Sequence, residues 1–271
     1  MGAATRESTE AAVRTLEDLL KPGLLGRRRA GSEAVGAELL AAARAIASSP
    51  QLTGVLADVG VAGEQKVALV QRVFGRGYDK RTVQVLEAMA ESRWSEPGDF
   101  IGALEQLGLR ALALTADDVD IDGELFTLER AVKSTPEVEL ALTNPAAPVA
   151  SRLALIDRLL VNAGEPTRII AQHLVQLPRG RRIIEALQDA ERQVADARER
   201  LVAVAHSAQP LTDAQVSALE DRLAAAYGRK IVVNQVLDPA VIGGIRVTIG
   251  DDVIDGTVRT RLEDLRLRLA G

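Results

Sequence analysis

The sequence predicts a mainly α-helical fold, in which two related six-helix-bundle-like modules precede a small α/β C-terminal domain. Three observations indicate this. Apolar residues recur at helical spacing through the first two thirds of the chain, and prolines and glycines lie at the ends of the periodic segments. A helical segment of the first hundred residues recurs further along the chain. After residue 200 the pattern changes to short β-branched runs typical of strands.

Length and composition exclude several classes of protein. The 271 residues, 47% of them apolar, can form a substantial core, and no apolar run approaches the roughly 18 residues of a membrane span. The acids within the first twenty residues are unlike a secretion signal, so we expect a soluble, cytoplasmic protein. With no cysteine and only His173 and His206, disulfides, thiolate ligands and a histidine-built metal site are excluded, and both histidines are expected to be structural.

Charge argues against a nucleic-acid surface. The net charge is −5, and the six aromatic residues offer few stacking platforms. Two basic clusters occur, one at Arg27–Arg29 and one at Arg179, Arg181 and Arg182. We interpret both as a solvated loop or helix start, with salt bridges to an acidic partner as the alternative.

Apolar stripes predict the first helices, and a proline predicts where one of them ends. Residues 38–47 place Leu39, Leu40, Ala43 and Ile46 on one face, and the helix must end before Pro50 because proline cannot continue it. Further helices are predicted at 64–74, 80–91 and 98–114.

An internal repeat organises this helical part. A shift of 86 residues aligns 38–74 with 124–160 without a gap, and ten of the 37 pairs are identical where unrelated sequence gives roughly two or three. One inserted residue then aligns 81–83 with 168–170, which pairs His173 with Leu86, and a short deletion aligns 100–106 with 183–189. We infer two copies of one helical module.

The C-terminal part reads as a small α/β unit. Strands are predicted at 201–208, 230–237 and 244–250. Between the first two, Thr212 and Gln215 form a capping box that opens a helix ending near Gly228. The final stretch spaces Val258, Leu262, Leu265 and Leu269 as an amphipathic helix.

A motif around the third strand resembles the C-terminal signature of the delta subunits of F-type ATP synthases, the oligomycin-sensitivity-conferring protein family. The run LDPAVIGGIRVTIGDDVIDG, followed by an amphipathic stretch, carries the resemblance. Paired glycines before a strand permit positive φ or close backbone approach, and Asp255 can cap the helix that follows it. The signature residues are Asp238, Pro239, Ile242, Gly243, Gly244, Gly250, Asp251, Asp255 and Gly256.

The resemblance implies a domain plan. It places a first helical-bundle copy at residues 1–110, a second copy equivalent to the family's N-terminal domain at 104–195, and the α/β domain at 196–271. The segment Leu104–Leu114 would close the first bundle and open the second. The extra module and the preference for arginine over lysine are typical of the longer actinobacterial form.

The resemblance also implies a non-catalytic role, without cofactors, at the cytoplasmic face of the cell membrane. Family members form a peripheral stalk that joins the alpha/beta head of the proton-translocating enzyme to the membrane-anchored b subunits and resists rotor torque. The alpha N-terminal helix enters a groove between the first and fifth helices of the bundle, and the C-terminal domain meets b. The corresponding groove residues here are Leu109, Leu112, Ile169, Ile170, His173, Leu174, Val83 and Leu86, for which internal core is the other interpretation.

A second hypothesis is a calcium-responsive helical adaptor. Residues 118–129 fit the calcium-loop pattern, with acids at Asp118, Asp120, Asp122 and Glu129 and a glycine at Gly123. Apolar residues interleave these acids, and the first copy lacks them, so we favour a helix start stabilised by its dipole. No phosphate-binding loop or catalytic constellation is present in the sequence.

Overall fold

The structure, a computed structural model, describes residues 2–21, 32–116, 118–241, 243–250 and 252–257. It divides into two compact units, Met1–Val194 and Ala195–Gly271. The first unit is helical and the second contains a sheet, so the predicted mainly α fold with a small C-terminal α/β part is confirmed. No helix in the described ranges is long and apolar enough to cross a membrane.

Eleven helices in the described residues follow one another to the end of the helical unit. Their order repeats. A long helix, a short helix and two helices of intermediate length occur among the first six helices, which we call the first half, and again among the last five, which we call the second half. The first six are α1 (Ala3–Leu20), α2 (Ser32–Ala47), α3 (Pro50–Ala57), α4 (Gly63–Phe74), α5 (Lys80–Glu91) and α6 (Pro97–Thr115). The next five are α7 (Ile121–Ser134), α8 (Pro136–Thr143), α9 (Val149–Leu159), α10 (Glu165–Gln176) and α11 (Ile183–Ala197).

Local signals set several of these boundaries. Ser49 caps α3 by accepting a hydrogen bond from the Leu52 amide, and Pro50 occupies the first turn, where its missing N–H costs nothing. The helices expected at 64–74, 80–91 and 98–114 are confirmed to within one residue at each end. Helix α6 runs unbroken through Leu104–Leu114, the segment expected to serve both bundles.

Hydrogen bonds from one glutamate link α2, the second helix of the first half, to α5, the fifth. The Glu38 carboxylate on α2 accepts hydrogen bonds from the Asp79 amide at 2.8 Å and from the Thr82 hydroxyl at 2.6 Å, at the start of α5. A carboxylate at a helix N-terminus satisfies a free amide and interacts favourably with the helix dipole. We call this arrangement the glutamate clasp.

The second half contains the same clasp. Glu124 on α7 accepts hydrogen bonds from the Gly164 amide, 3.1 Å from each carboxylate oxygen, and from the Thr167 hydroxyl on α10. The fifth helices therefore correspond with an offset of 85 residues, one fewer than in the preceding helices. The sequence alignment of 81–83 with 168–170 was wrong by two residues, and His173 corresponds to Ala88, not to Leu86.

Helices α2 and α6 form the centre of the helical unit and pack closely together. Gly36 and Gly108 allow this approach: a Cβ at Gly36 would lie 2.8 Å from the Leu112 amide nitrogen, and one at Gly108 would lie 2.6 Å from Leu40 Cδ2. Apolar side chains from α1 to α6 fill the first core, including Leu16, Leu39 and Phe100, all fully buried. Two glycines facing each other thus set the distance between the two central helices.

In its described residues, the second unit is a four-stranded mixed sheet with one helix packed on it. Its strands are β1 (Arg200–Ser207), β2 (Lys230–Leu237), β3 (Ile245–Ile249) and β4 (Asp252–Asp255), in the order β2-β1-β3-β4. Strands β1 and β2 are parallel, and the crossover between them carries α12 (Asp213–Tyr227). The sequence predicted the first three strands but not β4. The expected terminal helix lies outside the described residues.

The structure confirms both predicted ends of α12, the capping box at its start and the glycine at its end. Thr212 and Gln215 form the reciprocal capping box, and Gly228 ends the helix in the left-handed region at φ 68°. Leu223 on α12 packs with Ile231, Val247 and other apolar residues of the sheet. The second unit therefore has its own core.

Candidate functional site

The structure buries seven of the eight predicted groove residues, and only Ile169 is half-buried. Val83 and Leu86 lie in the core of the first half. On α6, Leu112 lies against α2 at Gly36. Their assignment to an alpha-binding groove stays a prediction, and these seven side chains already have neighbours within the chain.

Helix α2 packs against α6 and α10, the two helices that carry six of these eight residues. It packs extensively on α6 and also on α10, whereas α6 and α10 contact each other little. In the first half the corresponding pair, α1 and α5, is in direct contact, and Glu17 and Arg110 form an ion pair between α1 and α6. The two halves therefore present different surfaces despite their common helix order.

A buried polar cluster joins these helices. The Glu105 carboxylate on α6 is 1% exposed, and its Oε2 lies 3.2 Å from His173 Nε2 on α10. Arg44 of α2 places Nη1 3.0 Å from His173 Nδ1 on the other side of the ring. From the segment after α10, Arg179 Nη1 lies 3.1 Å and Arg181 Nη2 2.8 Å from Glu105 Oε1. We call these five residues the Glu105 cluster.

The contacts within the cluster determine the tautomer of neutral His173 and shift the pKa values of His173 and Glu105. A guanidinium can only donate, so His173 Nδ1 accepts from Arg44 and the ring proton lies on Nε2, which donates to Glu105. Burial lowers the pKa of His173, with contributions from the charges of Arg44 and Arg181, against the raising effect of Glu105. Burial alone would raise the pKa of Glu105, but the hydrogen bond from His173 and the charges of Arg181 and Arg179 hold it below its ordinary value.

In the second unit, the signature residues form a tight junction between strands β3 and β4. Gly244 has φ 78°, and a Cβ there would collide with the Gly256 carbonyl oxygen, so both conformation and space require glycine. The Gly256 amide donates to the Ile245 carbonyl at 3.0 Å, and Gly243 and Gly250 also have positive φ. These residues therefore shape the backbone.

The aspartates and the proline of the signature border this junction. Asp238 accepts from the Ala240 amide at 2.9 Å in the exposed turn that holds Pro239, and Asp255 accepts from the Thr257 amide at 2.9 Å. Both carboxylates thus stabilise turns through local backbone hydrogen bonds. Ile242 and Asp251 lie outside the described residues.

Comparisons with known proteins cover the whole chain. The family profile described as ATP synthase delta (OSCP) subunit matches residues 109–269. Proteins named ATP synthase subunit delta from Leifsonia xyli subsp. xyli and Acidothermus cellulolyticus are 42% and 36% identical, and each alignment covers 100% of both chains. A third, from Streptomyces coelicolor, is 37% identical over 100% of this chain and 98% of its own. The chain belongs to the ATP synthase delta (OSCP) subunit family.

Family membership confirms two sequence predictions. Delta subunits are structural and non-catalytic, in agreement with the expectation that the chain is not an enzyme. The delta relatives above align from end to end, including the helices before residue 109 that the family profile leaves out. The expected longer actinobacterial form is therefore confirmed.

Sequence reasoning misses the Glu105 cluster, although it singles out three of its members, Arg179, Arg181 and His173. The sequence favours a solvated loop or helix start for Arg179 and Arg181, with salt bridges to an acidic partner as the alternative, whereas in the structure both form ion pairs with Glu105 of their own chain. Arg182 pairs with Glu139 on α8, also within the chain. The basic cluster at Arg27–Arg29 lies outside the described residues.

Most of the calcium-loop pattern is helical, and only residues 118–120 precede the helix. Helix α7 begins at Ile121, so Asp122 and Gly123 lie in its first turn, and Asp122 is buried. Glu129, the residue that would complete a calcium loop, accepts a hydrogen bond from Gln188 on α11 at 2.9 Å. Within the described ranges, no three His, Cys, Asp or Glu side chains are close enough to hold a metal ion.

Proposed function

We propose that this delta-family chain is a peripheral-stalk subunit of an F-type ATP synthase. It links the catalytic alpha/beta head to the membrane-anchored b subunits on the cytoplasmic face of the membrane, and it resists rotor torque during ATP synthesis. The observation that carries the proposal is the end-to-end similarity to proteins named ATP synthase subunit delta. A largely helical unit with a well-packed core, which deforms little under load, supports the mechanical role.

The alpha N-terminal helix is proposed to bind the first half of the chain, at α1 and α5. Helix α2 packs on α6 and α10, so an incoming helix at that position would have to displace part of the chain's own core. On α1, Val13 and Leu19 are only half-buried and offer apolar surface beside charged residues such as Arg14 and Asp18. Apolar positions flanked by charge suit an amphipathic helix. The C-terminal unit is proposed to contact b.

Co-purification tests the stalk role. Affinity-tagged chain, expressed in its own host and extracted from membranes in mild detergent, should recover the alpha and b subunits together. An untagged strain supplies the control for non-specific recovery. Recovery of the chain without alpha and b would refute the proposal.

Two matched variants test the location of the alpha site. Val13→Glu on α1 and Ile169→Glu on α10 both place a carboxylate at a half-buried apolar position. We expect Val13→Glu to weaken binding of a synthetic alpha N-terminal peptide about tenfold or more, as expected for an anchor residue, with Ile169→Glu close to wild type. Far-UV circular dichroism checks that both variants fold. The reverse ranking would place the site at α6 and α10.

A further inference from the structure

The Glu105 cluster brings together parts of the chain that are distant in sequence. Arg44 belongs to α2 in the first half and His173 to α10 in the second, and the His173 ring lies between Arg44 on one side and Glu105 of α6 on the other. His173 and Glu105 are 0% and 1% exposed, so their contact is shielded from water. Electrostatic interactions in such an environment are stronger than at the surface.

His173 alone in this cluster has an ordinary pKa close to neutral pH. In its neutral form, the ring satisfies both neighbours, because Nδ1 accepts from Arg44 and Nε2 donates to Glu105. Protonation would place an N–H on Nδ1, directed at the N–H groups of Arg44 only 3.0 Å away. Two donors cannot share that contact, so uptake of a proton must separate Arg44 from His173.

The charged groups around α10 act on His173 in opposite directions, and together with burial they leave its pKa lowered. Glu105 from α6 favours the protonated ring, whereas Arg44 from α2 and Arg181 from the segment after α10 oppose it. The helices α7 and α9 also pack on α10, but Glu124 of α7 binds the first turn and Arg152 of α9 donates to the Val175 carbonyl at 3.2 Å. Arg179 donates to Glu105 on its other oxygen.

We propose that Arg44, His173 and Glu105 form an acid-sensitive latch, which holds α2 on α10 while His173 is neutral and releases that contact when His173 is protonated. The latch couples the first half of the helical unit to the second. Its direction follows from linkage. The buried ring has a pKa below the ordinary value of about 6.5, so as pH falls below that value the unfolded chain takes up a proton that the folded chain does not.

The experiment measures the unfolding equilibrium of the full chain in urea at pH 7.5 and pH 5.5. In the wild type, protonation of His173 in the unfolded state should raise the unfolding constant by up to about tenfold at pH 5.5. His173→Gln should remove most of this change, because a glutamine amide can donate to Glu105 and accept from Arg44 without titrating. His206→Gln, at the half-buried histidine of β1 and the one other histidine in the sequence, should retain it.

A second measurement keeps the proposal testable if His173→Gln does not fold. An NMR titration of the wild-type histidine ring signals should give a pKa below 6.5 for His173, and amide protection on α2 and α10 should fall over the same pH range while that of α4 does not. The proposal is overturned if His173 titrates at or above 6.5. It is also overturned if His173→Gln retains the wild-type pH dependence.

Discussion

The close crossing of α2 and α6 makes a sharp prediction for Gly36→Ala. A Cβ at this position would lie 2.6 Å from Leu112 Cγ and 2.8 Å from the Leu112 amide nitrogen. Ordinary contacts between such atoms lie at about 3.5–4.0 Å. The amide nitrogen belongs to the backbone of α6 and cannot rotate away, so the two helices must separate.

Two opposing effects determine the magnitude. Alanine in place of glycine inside a helix favours folding by about 0.5–1 kcal/mol. Overpacking of a well-packed core costs about 1–3 kcal/mol. We expect the overpacking to dominate, because separation of α2 from α6 also loosens the contact of Leu40 with Gly108, and the net loss should be about 1–2 kcal/mol.

Urea denaturation monitored by Trp94 fluorescence tests this prediction. Trp94 is the single tryptophan, is 3% exposed, and donates from Nε1 to the Met89 carbonyl at 2.8 Å, so it reports on the helical unit. With a slope of about 2 kcal/mol per molar urea, the midpoint should fall by about 0.5–1 M. Gly54→Ala is the matched control in α3, where a Cβ meets nothing within 4 Å, and its midpoint should rise. A Gly36→Ala midpoint at or above the wild-type value would refute the reasoning.

Three further predictions concern caps and metal binding. Glu38→Ala and Glu124→Ala each remove a glutamate clasp, and each should lower the free energy of unfolding of the helical unit by about 1–2 kcal/mol, measured in the same urea assay. Unchanged midpoints would show that the clasps contribute nothing. Thr212→Ala breaks the capping box of α12 and should raise amide exchange there by about fivefold, for a loss of about 1 kcal/mol, with α4 as internal reference. Calcium titrated calorimetrically into the chain should give no binding heat at micromolar concentrations, and binding abolished by Glu129→Gln would contradict the helical assignment of residues 121–129.

Local chemistry made much of the fold predictable. Proline at 50, the Thr212 capping box and Gly228 each act within a few residues, and the structure places helix ends at all three. Strand β4 escaped prediction because its four residues, Asp252–Asp255, are all exposed and half of them are acidic, so no alternation with a buried face marks them.

The site was less predictable because it depends on contacts between distant residues. Glu105 and His173 are separated by 68 residues and Arg44 and His173 by 129, and no local pattern encodes such pairings. The fifth-helix alignment was wrong for a related reason. It pairs Arg81 with Arg168, which are identical in sequence, whereas the contacts of the two clasp glutamates pair Thr82 with Thr167.

The shared helix α6 limits how the chain can be shortened. It contributes Phe100 and Leu104 to the first core and Glu105 to the contact with α10, so it cannot be assigned to one half alone. A truncated protein that starts at residue 97 would keep α6 but lose α2, and the buried face around Gly108 and Leu112 would meet water. Removal of residues 1–96 would therefore expose side chains that are buried in the full chain, and we expect the truncated protein to aggregate.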